Sequence, residues 1–140
     1  GKELLKKAIL VVINNQINYK FQDESLVTYA NKISKSESRI IWNKSAHEVN
    51  LKIRAFSKLP GAWTAFKNSN KRIKILKAKI IKEEQVKNNS IYNVGDITEK
   101  FEVKCSKDFL QIEILQKEGK NPITAKDFLN GNNVRDLTFC

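Results

Sequence analysis

The chain of 140 residues holds no methionine, one histidine, two cysteines, two prolines and five glycines. Each scarcity closes off a class of chemistry. Cys105 and Cys140 make no disulfide framework, and with a single histidine they fit no metal-ligand spacing. No glycine-rich phosphate loop is present. No apolar run approaches the roughly 18 residues of a membrane-spanning helix. The longest, "AILVVI" (8–13), is followed by "NNQINYKF" rather than by a small-residue cleavage site, which argues against export. A reducing cytoplasm is the expected setting. A chain that lacks methionine and begins at Gly1 is expected to be a piece of a longer protein.

Acidic residues are missing from one stretch in particular. From Thr28 to Lys82 there are 14 Lys/Arg against 2 Asp/Glu, Glu37 and Glu48. The rest of the chain is close to neutral, so the formal charge of +11 sits in that block. A genome rich in A and T would supply lysines, but would spread them. A single-signed block focuses potential and attracts polyanions, nucleic acid above all. A membrane surface fits less well, because no strongly apolar face accompanies the lysines.

Along the chain, Leu4, Leu5, Ala8, Ile9 and Val12 recur at helical spacing, which predicts a helix over 2–13. Its apolar stripe is wide for an isolated terminal helix, as in the last helix of a domain not present here. Left uncovered, such a stripe promotes self-association. A polar linker follows over 16–41, in which Ile17, Tyr19, Phe21, Leu26, Val27 and Tyr29 are expected to hold the segment against a surface. Ser45 and Glu48 form a capping box that opens a second helix, with Ala46, Val49, Ile53 and Phe56 on its apolar face. Asn50, Lys52 and Arg54 fall off that face, and the helix should stop before Pro60.

Strand signals occupy much of the remainder. "AWTAFK" (62–67) and "KRIKILKAKII" (71–81) flank "NSN" as a hairpin. In the second run Ile73 and Ile75 alternate with Arg72 and Lys74, and after Leu76 the phase flips. Such a flip predicts a bulge or bend. Val94–Ile97, "FEVKC" (101–105) and "FLQIEILQ" (109–116) read as further strands around a turn at 106–108. Thr124 caps a last short helix with Phe128 and Leu129, and Gly131 stops it. The expected fold is mainly β with flanking helices (α+β), a small OB-like open β-barrel preceded by a linker and an N-terminal helix.

No catalytic constellation emerges. His47 lies in a helix first turn, Cys105 alternates with Phe101 and Val103 as a core thiol, and Asp23-Glu24 sits in polar linker. By itself the chain reads as a binding module.

Five ordered stretches, "QDESLVTYANKISKSESRIIW" (22–42), "KIRAFSKLPGAW" (52–63), "RIKILKA" (72–78), "LQKEGK" (115–120) and "DFLNG" (127–131), resemble the methionyl-tRNA formyltransferase family over its interdomain linker and C-terminal domain. The resemblance implies that 1–15 ends a missing catalytic domain, that 16–41 is the linker, and that 42–140 is an OB-like tRNA-binding domain. It also implies an N-terminal domain that moves a formyl group from 10-formyltetrahydrofolate to the methionyl amino group of initiator tRNA. No residue here matches the family's catalytic motif, so no cofactor is expected within this chain. Position by position, the "KISK" signature falls on Lys32 to Lys35, with Arg39 following. "IRAF" gives Arg54, and the strand motif gives Arg72, Lys74, Lys77 and Lys79. With Lys52 and Lys71 from the same block, these are the expected phosphate contacts, which hold register without reading sequence. Trp42 and Trp63 are expected to pack, with base stacking as the alternative.

This chain has Lys58-Leu59-Pro60-Gly61 where the family usually has Pro-x-Pro-Gly, and its tail "NNVRDLTFC" lacks the usual Pro-Gly. Two other readings stay open: the C-terminal domain of a small-molecule (sugar) formyltransferase, and a generic basic OB-like module. The charge block discriminates, since a sugar enzyme has no need of it.

Overall fold

The structure, a computed structural model, describes residues 1–57, 59–69, 71–134 and 137–140. Lys58, Asn70 at the end of the "NSN" turn, and Arg135 and Asp136 of the tail lie outside the described residues. The chain divides into two compact units, Gly1–Lys32 and Ile33–Cys140.

The first unit carries helix α1 (Lys2–Ile13) and a short 3-10 turn at Glu24–Leu26. Asp23 caps that turn, its Oδ1 accepting from the Ser25 N–H at 2.9 Å. Its carboxyl is held below the usual value by the Ser25 hydroxyl and then by the Ser25 N–H. Asp23 is therefore a local cap. None of the residues of α1 is buried. Tyr19, Phe21, Leu26 and Tyr29 stand exposed, contrary to the expectation that they anchor the segment. Thirty-two residues with one helix supply no core to receive them.

In the second unit, residues expected to be linker join the fold. Ile40 and Ser38 are buried, and Arg39 bridges to Trp63 in a parallel sense. The Ile40 N–H donates to the Trp63 carbonyl at 2.7 Å, and the Trp63 N–H donates to the Ser38 carbonyl at 3.0 Å.

Helix α2 (Ala46–Phe56) opens on the predicted capping box. Ser45 Oγ accepts from the Glu48 N–H at 3.3 Å, and Glu48 Oε2 accepts from the Ser45 N–H at 3.0 Å. The helix buries Ala46, Val49 and Ile53 and ends before Pro60 as expected. The Gly61 N–H then donates back to the Phe56 carbonyl at 2.9 Å. Gly61 itself has φ +88°, a left-handed conformation that glycine adopts without steric cost.

From there the chain enters β1 (Ala62–Ala65) and β2 (Arg72–Ile81), followed by β3 (Glu102–Lys104), β4 (Phe109–Lys117), β5 (Ile123–Thr124) and α3 (Ala125–Asn130). The strands form one antiparallel, open sheet in the order β1-β2-β4-β3, with β5 paired to β4. The architecture is mainly β with flanking helices, and the sheet does not close.

The predicted phase flip is real and lies on both central strands. Ile75 pairs with Leu115, Lys77 with Ile114 and Ala78 with Ile112. Leu76 on β2 and Glu113 on β4 are thus left out of the register. Ile73 and Ile75 are buried before the irregularity, and Ala78 and Ile80 pack on the core after it. Arg72, Lys74, Lys77 and Lys79 therefore all lie opposite the core side, and a straight period-2 strand would have turned half of them inward.

Val94–Ile97 is not a strand. It makes only isolated bridges, Asp96 to Thr138 and Ile97 to Val103, because Gly95 turns the backbone at φ +91°. The tail closes the core: Phe139 is buried and stacks on Trp42 at 5.4 Å and on Phe66 at 4.7 Å between centroids.

Candidate nucleic-acid interface

The basic side of the sheet is organised by Trp63. Trp63 pairs with Lys74 across β1 and β2, one step along from Ala65 and Arg72. Alternation puts Trp63, Arg72 and Lys74 on one face. The Arg72 guanidinium carbon lies 4.4 Å from the Trp63 ring centroid, and that of Arg39 lies 5.5 Å from it. The indole N–H donates to the Lys35 carbonyl at 2.8 Å, which holds the start of the unit against the strand.

These residues surround a groove of about 420 Å³ lined by Lys35, Trp63, Arg72 and Lys74, with Gly61 and Gln116 completing the wall. Lys74 is half-buried because its stem lies over the Gly61 turn; a Cβ at Gly61 would come within 2.8 Å of Lys74 Cδ. Glu118 borders the groove but forms no ion pair with these cations. Among the described residues, no carboxylate lies within 4.0 Å of the charged groups of Lys35, Arg39, Arg54, Arg72, Lys74 or Lys79.

Uncompensated cations around a concavity suit a polyanion, because the field is not spent locally. Lys77 differs, since its ammonium is 2.8 Å from Glu113. Arg54 and Lys77 line a second groove between α2 and the middle of the sheet, and Gln116 borders both grooves.

The ten expected phosphate contacts thus sort into groups. Lys35, Arg72 and Lys74 share the first groove, with Arg39 stacked on its tryptophan, while Arg54 and Lys77 share the second. Lys71 and Lys79 are exposed and Lys52 is half-buried, but none of the three lines a groove. Lys32 is exposed in the first unit.

Trp42 is core, its Nε1 donating to Thr64 Oγ1 at 3.0 Å. Trp63 is half-buried and packs against arginines rather than apolar neighbours. Gln116 and Lys117, which also borders the first groove, lie within the "LQKEGK" motif but are not among the expected phosphate contacts. Their pairing opposite Lys74 and Ile73 is a matter of register.

Among the described residues lining these grooves there is no histidine or cysteine. His47 is exposed in the first turn of α2. Burial pushes the Cys105 thiol up to about 12, so it stays protonated and unreactive. Among the described residues no group of three or more His, Cys, Asp or Glu is placed to hold a metal ion. No described helix is long and apolar enough to cross a membrane.

The second unit is thus an open, five-stranded antiparallel sheet with flanking helices, and Arg72, Lys74, Lys77 and Lys79 lie on the side of β2 turned away from the core. Residues 32–133 match the formyl transferase C-terminal domain, and the chain belongs to that family. Its relatives include the methionyl-tRNA formyltransferases of Rickettsia massiliae, 36% identical over 134 residues, and Chlamydia caviae, 32% identical over 142. The alignments cover 96% and 98% of this chain but 42% and 44% of those relatives. That of Parvibaculum lavamentivorans is 35% identical over 133 residues, covering 94% of this chain and 42% of the relative. The chain spans about two-fifths of the length of these proteins.

Proposed function

We propose that this chain is the tRNA-holding part of a methionyl-tRNA formyltransferase in the cytoplasm. It grips the sugar–phosphate backbone of initiator methionyl-tRNA so that a catalytic domain outside the chain can formylate the methionyl amino group from 10-formyltetrahydrofolate. The observation that carries this reading is the groove in which Lys35, Arg72 and Lys74 converge around Trp63, none of them in an ion pair with a carboxylate. Phosphates are the natural ligand for such a set: guanidinium and ammonium groups donate several hydrogen bonds each, and contacts to backbone oxygens fix register rather than sequence. The family membership and the names of the relatives support the choice of RNA.

The test is binding of the chain to initiator and to elongator tRNA over a salt series. Neutralising about 4–8 phosphates should give a slope of about −0.7 to −0.9 per phosphate in log affinity against log salt. Comparable binding of the two tRNAs would make the chain an electrostatic clamp and leave discrimination to the rest of the enzyme. Binding to neither would overturn the reading in favour of a small-molecule formyltransferase.

A further inference from the structure

The second groove is not explained by backbone gripping. It holds about 750 Å³ between α2 and the irregular middle of β2 and β4. Ile53, Leu76, Ala78, Ile114 and Pro122 give it apolar walls, more than a row of phosphates requires. Asn50 also lines it, and the Oδ1 atom of Asn50 is buried without a hydrogen-bond partner. A buried amide oxygen left without a partner is costly, and native structures rarely keep one without a reason.

We propose that this groove receives an unpaired RNA nucleotide, with its base against the aliphatic walls and the Asn50 carboxamide and its phosphate on Arg54. The inference rests on the tRNA-holding function above and assigns that site a second, non-electrostatic part. Two observations select a nucleotide over a peptide, and the chemistry of the carboxamide is compatible with one. Arg54 lines the groove with no ion pair, so a negative charge is favoured beside the apolar walls. Gln116 joins the groove to the cationic one, so a strand gripped by Lys74 and Arg72 passes its mouth. The carboxamide carries a donor and an acceptor side by side, the pattern that matches a base edge. Its terminal torsion is broad and roughly two-fold, so either end turns to the groove. Bases splayed out of single strands are recognised in this way, by hydrogen bonds at the edge and packing on the faces. The volume falls in the range of small-ligand sites, about 300–1,000 Å³.

The experiment compares three probes with the full chain: a five-nucleotide single-stranded RNA, the same strand with a central abasic position, and a twelve-base-pair RNA duplex. The abasic strand is expected to bind about 10-fold more weakly than the intact one. Asn50→Leu removes the amide, and Ser57→Trp fills the groove from its exposed edge. Each should weaken the intact single strand about 10-fold and leave the duplex within about 2-fold. Lys74→Ala should weaken both. A folded Ser57→Trp variant with unaltered single-strand affinity, or equal binding of intact and abasic strands, overturns the nucleotide pocket alone. If the unaltered chain binds none of the three probes, the tRNA-holding function falls with it.

Discussion

The guanidinium carbon of Arg72 lies 4.4 Å from the centroid of the Trp63 ring, on the strand face turned away from the core. A planar cation over an indole keeps its charge while losing much of its rotamer freedom, so less is lost when it binds an anion. Arg39 shares the same ring, and the indole N–H ties down the Lys35 backbone. Trp63 therefore positions two guanidinium groups and ties down the backbone beside a third cation.

Replacing Trp63 separates positioning from charge. A cation–π contact at an exposed site is worth about 0.5–1 kcal/mol, or about 2- to 5-fold in binding if the arginines become disordered. Trp63→Leu is expected to weaken tRNA binding by that factor for each released guanidinium, at unchanged net charge and an unchanged salt slope. Trp63→Phe keeps a ring and loses only the bond to Lys35, so its loss should be smaller. Equal affinity for Trp63→Leu and the unaltered chain would show that the arginines need no platform.

Two glycines with positive φ should respond unequally to alanine. At Gly61 the obstacle is the flexible stem of Lys74, so Gly61→Ala is expected to cost about 1–2 kcal/mol of backbone strain. The displaced lysine should also weaken RNA binding. At Gly95 a Cβ would sit 2.5 Å from the Phe139 carbonyl oxygen, which the backbone cannot withdraw without breaking the Phe139 N–H bond to the Gly95 carbonyl at 2.9 Å. Gly95→Ala should therefore lower the melting temperature more than Gly61→Ala, with little effect on RNA affinity at temperatures where both are folded. Thermal melts of the two variants decide the order.

Elements that depend on neighbours in the chain were legible in the sequence. The Ser45–Glu48 box, the stop before Pro60 and the flip at Leu76 are local patterns, and each occurs where its chemistry requires. Elements that depend on distant partners were not. Val94–Ile97 reads as a short strand, yet the backbone turn at Gly95 leaves it single bridges to the tail and to Val103. For the site, charge and motif pointed to the basic strand, but not to Trp63 as its organiser. That role needs the antiparallel register that sets Trp63 opposite Lys74, together with the bridge to Arg39. Gln116 carries no charge and joins the site only because β4 lies beside β2.

Helix α1 presents Leu4, Leu5, Ile9, Leu10, Val12 and Ile13 to solvent. A contiguous apolar face of that kind drives association. The chain is expected to sediment as a concentration-dependent mixture of monomer and oligomer. Leu5→Glu combined with Ile9→Glu should restore a monomer without altering the melting of the second unit. A monomer at all concentrations in the unaltered chain would rule this out.

One acid-sensitive point of the fold is the junction between residues 82–91 and the turn before β4. Lys82 Nζ is 3.0 Å from Asp108 Oδ2, Lys104 pairs with Glu83, and the Asp108 N–H donates to Glu83 Oε1 at 3.1 Å. The Lys104 hydrogen bond, then the Asp108 N–H, holds the Glu83 carboxyl below its ordinary 4.5. The Lys82 hydrogen bond holds Asp108 below its ordinary 3.8. Both carboxyls are easier to ionise folded than unfolded, so their stabilisation is complete above those ordinary values and is lost as pH falls through the depressed ones. Lys82 behaves oppositely, because Asp108 raises it above 10.5 and its contribution fades only as pH rises beyond that. Glu83→Gln should therefore melt below the unaltered chain by a constant margin from about pH 5 to pH 9. That margin should begin to shrink as the pH falls below the ordinary 4.5 and vanish once it has fallen through the depressed folded value, where the unaltered chain also carries a protonated Glu83. A margin that stays constant down to pH 2 would mean that Glu83 stabilises by packing and not by its charge.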